Sequence, residues 1–306
     1  MFTSIFKVHF FISALCVLMF ISCNSLVDDE FPDFAALPVM NGLLQADSAF
    51  RVQISLAANL SDTMPDYVDN ALVIIENQGN IPDTLLYVDE GWYVSPRIVK
   101  TGETYSCSVE IPGFNTMTAH TIVPQPTEID SVIYTDVASR GQEGEIISSI
   151  EFRIRDERQI EKFWEVKLKE RRFGMYFDWD INDWVEGLHI REGYILMQAE
   201  QDSVLLNEAN PLTVFSNRKM KTDQHWMKLY FNKNNFIYST TDTLFVELQN
   251  IDESYYNYAK QYYIYETASS GGIGTSPQRY PLYSNVVNGL GLFTGVSVTW
   301  KDIEVR

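Results

Sequence analysis

From about Pro38 onward, apolar and polar residues alternate with a period of two over short runs separated by turn residues. Such alternation places every second side chain on one face of an extended chain, so each run predicts a strand with a core face and a water face. Phe50, Val52, Ile54 and Leu56 alternate in this way with Arg51, Gln53 and Ser55, and runs 71–75, 84–88 and 91–94 predict further strands. The first series ends at Pro124-Gln125-Pro126, where two prolines stop a ladder and favour an extended connector. Beyond it the alternation resumes at Ile150/Phe152/Ile154, Trp164/Val166/Leu168, Met227/Leu229/Phe231, Leu244/Val246/Leu248 and Val296/Val298/Trp300. After Trp300 the phase slips by one, because Asp302 takes the next inward place and Ile303 and Val305 resume, so a bulge or the end of the strand is expected. One stretch has a helical period. Tyr255, Ala259 and Tyr262 follow Asp252, a capping residue, at three- and four-residue steps, and Ser269-Ser270-Gly271-Gly272 ends a helix over 252–268.

In the stretch Val99-Lys100-Thr101-Gly102-Glu103-Thr104-Tyr105, a tyrosine follows a tight turn. It resembles the tyrosine corner of immunoglobulin-like and fibronectin-like sandwiches, in which the hydroxyl bonds back to the chain. Cys107 sits two residues on, where an antibody domain carries its second cysteine, but no first cysteine lies in the domain. Alternation with Ser106 and Ser108 turns Cys107 inward as a small apolar residue, so a disulfide-free sandwich is expected. The expected fold class is all-β. An N-terminal immunoglobulin/fibronectin-like sandwich covers 33–124, and a second antiparallel β-sandwich or barrel carrying one helix covers 125–306.

The amino-terminal end has another pattern. Lys7 precedes an apolar run to Ile21, a small residue follows at Ser22, and a cysteine stands at 23. A basic start, an apolar core too short to span a bilayer and a small residue before the cut predict a signal peptide over 1–22. Phe20-Ile21-Ser22-Cys23 resembles the bacterial lipobox, with Phe20 where Leu is preferred, and makes Cys23 the expected lipid attachment. Residues 23–32 then form an acidic tether whose Asp28-Asp29-Glu30 resembles the acidic cluster of surface-exported lipoproteins of Bacteroidota. Removing residues 1–22 from the 306 leaves 284, and loss of Lys7 takes the formal net charge from −18 to −19. That balance disfavours phosphate backbones and anionic lipid surfaces, so no nucleic-acid partner is expected. With Cys16 removed and Cys23 acylated, Cys107 has no disulfide partner.

Candidate chemistry is sparse. His120, His189 and His225 show no metal spacing, no nucleophile elbow occurs, and Gly271-Gly272-Ile273-Gly274 lacks the Lys-Ser or Lys-Thr of a phosphate loop. No catalytic residue, cofactor or metal is expected. Asp178, Asp180 and Asn182 match the alternating oxygen ligands that open a calcium loop, but Asp183 replaces its glycine and His189 stands where a glutamate should close it. The stretch reads instead as an exposed loop between two strands, with Trp179 and Trp184 packing against the domain or a partner, or stacking on a sugar. The tyrosines of the helix have two readings, a binding platform or a helix packed over one end of the second domain with hydroxyls at its rim.

Three stretches together carry a wider resemblance: Val39-Met40-Asn41-Gly42-Leu43, the turn Gly102 to Tyr105, and Tyr283-Ser284-Asn285 to Gly289-Leu290-Gly291-Leu292-Phe293. On these the chain resembles domain-of-unknown-function family 4249, lipoproteins of Bacteroidota. In the last stretch Gly289 and Gly291 are expected to adopt backbone conformations closed to other residues. The resemblance implies an outer-membrane lipoprotein whose genes lie beside those of TonB-dependent receptors, and no known chemistry. The expected function is therefore a non-enzymatic, lipid-anchored, cell-surface accessory of such a receptor in nutrient uptake, or a surface lipoprotein binding a glycan or peptide on its own.

Overall fold

The alternating runs are extended, and their inward residues gather into separate cores. The computed structural model describes residues 36–57, 65–77, 81–156, 160–179, 181–193, 195–196, 202–207, 213–235, 243–269 and 282–303. The strands are β1 (Pro38–Gln45), β2 (Ala49–Leu56), β3 (Asp66–Tyr67), β4 (Leu72–Asn77), β5 (Asp83–Tyr87), β6 (Trp92–Ile98), β7 (Thr104–Glu110) and β8 (Met117–Ile122). They continue as β9 (Ile129–Arg140), β10 (Ile146–Arg155), β11 (Phe163–Asp178), β12 (Asp183–Gly193), β13 (Val214–Ser216), β14 (Gln224–Asn232), β15 (Thr243–Ile251) and β16 (Leu290–Ile303). A short helix α1 (Ser203–Asn207) and a long one, α2 (Glu253–Ser269), interrupt them.

One sheet of 13 strands runs β12-β11-β15-β16-β1-β2-β6-β5-β4-β7-β8, with β13 beside β11 and β3 beside β2. β5 turns it from one layer into another. Its first half pairs with β4 through Val73 and Leu85, and its second half pairs with β6 through Leu86 and Val94. Layers β1-β2-β6 and β4-β7-β8 thereby enclose a first core of Met40, Val52, Ile54, Val73, Tyr93, Cys107 and their neighbours. The tyrosine corner is present: Lys100 N donates to the Tyr105 hydroxyl at 2.9 Å, which in turn donates to Glu103 Oε2 at 2.9 Å. Gly102 supplies the turn at φ +75°.

The second region is a sandwich as well, and among the described residues no barrel closes. A separate sheet, β14-β10-β9, lays Ile150, Phe152, Ile154, Met227 and Leu229 against Trp164, Val166, Leu168, Val246 and Leu248 of the large sheet. Full burial of each such side chain contributes about 1.5–3 kcal/mol. The opposite face of the large sheet carries a third, smaller cluster under α2, with Phe163, Ile251, Tyr256 and Val296. Those two faces explain Trp300. The ladder of β16 with β15 is unbroken from Val296 to Ile303, so neither a bulge nor a strand end lies at Trp300. Val296 belongs to the helix face and Ile303 to the core face; Trp300, half exposed, shares the helix side with Phe245, 5.7 Å away.

β16 joins the regions by lying parallel to β1, with Val39 opposite Leu290. Asn285 holds its start, donating from Nδ2 to Phe293 O at 2.7 Å and accepting Phe293 N–H at 2.9 Å. Gly291 has φ +114°, as expected, whereas Gly289 is required for closeness: a Cβ there would meet Met117 Sδ at 2.4 Å and Pro38 O at 2.8 Å. The seam between the cores is bonded by buried polar groups. Thr121 donates to Asp252 Oδ2 at 2.5 Å, Thr294 also bonds the carboxylate, and Tyr255 N–H caps α2 on Oδ1 at 2.8 Å. After the proline connector, Thr127 N donates to Asn250 Oδ1 at 2.8 Å, and Thr127 Oγ1 accepts from Asn250 Nδ2 at 2.8 Å and Trp164 Nε1 at 3.1 Å.

Candidate functional site

β11 is longer than the strand beside it. Among the described residues β15 pairs with β11 as far as Arg171, and beyond that only β12 does, from Arg172 opposite His189 to Asp178 opposite Asp183. At about 3.4 Å per residue, a two-stranded ribbon roughly 20 Å long extends past the sandwich. Its two faces differ. Even-numbered residues of β11 begin in the second core, which ends at buried Glu170, where Arg191 Nη2 donates to Oε2 at 2.9 Å. Past that pair, the same face carries Tyr176 stacked on His189 with centroids 4.7 Å apart.

Odd-numbered residues lie on the face that α2 covers farther up, where Tyr256 packs on Phe163 at 4.6 Å. On the ribbon no described residue outside it covers this face as α2 does. Phe173 stands opposite Leu188, Met175 opposite Glu186 and Phe177 opposite Trp184. Phe173 is 56 %, Met175 58 %, Trp184 61 % and Leu188 62 % exposed, with Ile190 half exposed and Trp179 at 83 %. A contiguous apolar patch of this kind on a folded protein marks a contact surface.

Trp179 and Trp184 therefore flank the tip of the ribbon. They do not pack on the body: both meet the Phe177 ring edge-on, at 4.7 and 5.8 Å. Asp178 ends β11 and Asn182 turns with φ +54°; Asp180, the middle ligand of the calcium reading, lies outside the described residues, as does Cys23. Among the described residues no group of three His, Cys, Asp or Glu could hold a metal. Sequence reasoning did not single out Phe173, Met175, Leu188 or Ile190. The signal was Phe173/Met175/Phe177, which alternates in the phase opposite to Trp164/Val166/Leu168 on the same strand.

The tyrosine helix divides in two. Tyr255 donates its hydroxyl to Glu165 Oε2 at 2.9 Å, and burial beside that carboxylate pushes its pKa well above the ordinary tyrosine value. In the second half Tyr262 stacks on Tyr258 at 5.9 Å and, like Tyr265, is exposed. Cys107 is buried, which pushes its thiol up to about 12 and leaves it unreactive near neutrality. His225 Nε2 lies 3.0 Å from Asp202 Oδ2.

Open clefts also lie among the described residues. One of about 450 Å³ lies between β9 and the end of β16, lined by Asp130, Tyr134, Asp136, Lys301 and Asp302. Two of its acids are engaged: Arg153 above all holds Asp130 down at about 2, and Lys233 pairs with Asp136. Clefts of about 240 Å³ at the tyrosine corner and 310 Å³ over β7 and β8 are smaller. Residues 26–302 match the model of a family described as Domain of unknown function (DUF4249). No curated protein matches the chain.

Proposed function

The chain belongs to the DUF4249 family, and on that premise we propose that it is a non-enzymatic, lipid-anchored accessory protein of the outer membrane that docks on a TonB-dependent receptor. The observation that carries this reading is the bare apolar face of the β11–β12 ribbon. Trp, Phe and Met are the residues that interface centres favour, and a few such anchors supply most of a contact's energy. Acyl chains on Cys23 confine the protein to the plane of the membrane, where raised effective concentration lets a modest interface suffice.

A tagged pull-down from native outer membranes tests it. The parent should bring down one receptor in near-equal amount, and a Phe173→Ser/Trp184→Ser variant should lose it while still membrane-bound. Recovery of the parent alone refutes the reading. The exposed rings of Trp179 and Trp184 favour a second reading, a module that binds a glycan or peptide by itself. Glycan and peptide arrays probed with the parent and with Trp179→Ala/Trp184→Ala would then show retention that the variant lacks.

A further inference from the structure

The large sheet has two terminal strands, and they are treated differently. Across β8 lies the 282–288 segment, which exchanges both backbone bonds with it: Val287 N–H to Thr118 O at 2.8 Å and Thr118 N–H to Val287 O at 3.2 Å. In the small sheet, β14 is crossed in the same manner, Leu196 N–H donating to Tyr230 O at 2.7 Å. At the other end of the large sheet, β12 pairs only with β11 among the described residues, over 11 residues in unbroken register. Natural edges are blunted by Lys, Pro, bulges, shortness or a covering segment. Residues 183–190 contain neither Lys nor Pro, the ladder has no bulge, and every second residue of β12 is exposed.

Charge selects what can pair there. The ribbon from 172 to 189 contains Asp178, Asp180, Asp183 and Glu186 against one cation, Arg172 at its base, in a chain that is already acidic. An anionic membrane surface is repelled by such a ribbon, and two copies would bring like charges together. We propose that the outer edge of β12, which no other described strand covers, accepts an extended segment of a partner chain in which apolar residues alternate with Lys or Arg, adding a strand to the sheet. Main-chain bonds to that outer edge hold the segment. Its apolar side chains extend the face of Trp184, Leu188 and Ile190, and its cations, on the opposite face, lie beside Asp183 at the tip. This rests on the ribbon being the contact surface and specifies the mode of contact.

The test uses the full chain in mild detergent and three labelled peptides: alternating Val and Lys, alternating Val and Glu, and the Val/Lys peptide with alternate backbone amides N-methylated. Val/Lys should bind, with the other two weaker by roughly tenfold or more, and hydrogen exchange should slow at alternate amides of 183–193. Leu188→Lys, at an exposed position, should abolish binding with the unfolding midpoint unchanged. Equal binding of the N-methylated peptide would reduce the contact to charge attraction and overturn strand addition, as would no binding of Val/Lys. Self-association of the parent that Leu188→Lys removes would overturn it in favour of a second copy. If the receptor pull-down depends on Trp184 while no peptide binds, docking stands and strand addition falls.

Discussion

The seam around Asp252 and the ribbon beyond Arg171 use similar residue types to opposite ends. At the seam Thr121 of the first sandwich and Thr294 both bond the buried Asp252 carboxylate, and beside it Trp164 and Asn250 both bond Thr127 at the end of the proline connector. On the ribbon, Trp179 and Trp184 meet Phe177 edge-on and, among the described residues, no ring of the body. Apolar area held in water gives no folding energy, so its presence has to be sought outside the folded chain. The difference separates the residues that make the fold from those that face a partner.

The largest effect should come from cutting one tryptophan at each place. Trp164→Ala removes a fully buried ring stacked on Phe215 and a bond to Thr127, and should cost about 3–5 kcal/mol in denaturant unfolding. Trp184→Ala should cost less than about 0.5 kcal/mol yet remove the partner. Equal costs would erase the distinction. Asp252→Ala, which uncaps α2 and strands two threonine hydroxyls, should cost about 2–3 kcal/mol by the same measurement. Gly295→Ala comes next, because its Cβ would meet Ile122 O at 2.5 Å where β16 passes β8; about 1–3 kcal/mol is expected.

The smallest effect is a matter of pH and sharpens the comparison by sign. Desolvation raises the Asp252 pKa above 3.8, so its favourable contribution is complete below that value and declines as pH rises through the folded pKa. Against Asp252→Asn, the parent should lose ground between pH 3 and 7. Asp130 behaves oppositely: Arg153 and its neighbours lower it to about 2, so its contribution is present above about 4 and lost as pH falls toward 2. Thermal midpoints of Asp130→Asn and the parent should converge in that acid window. Parallel trends for both acids would refute the assignment.

Much of the fold was legible because alternation is a local signal. Phe50 to Leu56, Leu244 to Leu248 and the cap at Asp252 fell where the pattern put them, and Tyr105 made its corner from a turn visible in sequence. What escaped is non-local or two-sided. No periodicity announces that β16 lies parallel to β1, and a strand between two cores, like β16 at Trp300, shows apolar residues in both phases. The ribbon escapes for a related reason: Trp179 and Trp184 stand out as tryptophans, whereas Phe173 and Met175 alternate as any strand does and carry no mark of their exposure.

The parallel pairing of β1 and β16 has a consequence in time. Leu292 N–H reaches the Asn41 side chain across 251 positions of sequence, and Phe293 fills the first core beside Met40 and Val52. Loop closure over such a distance must be met before its contacts repay it, which slows the search for the native state. The first sandwich to leave the ribosome therefore stays incomplete until β16 arrives, because Phe293 belongs to its core. Both cores take a residue from β16, so any agent that holds this strand holds both open.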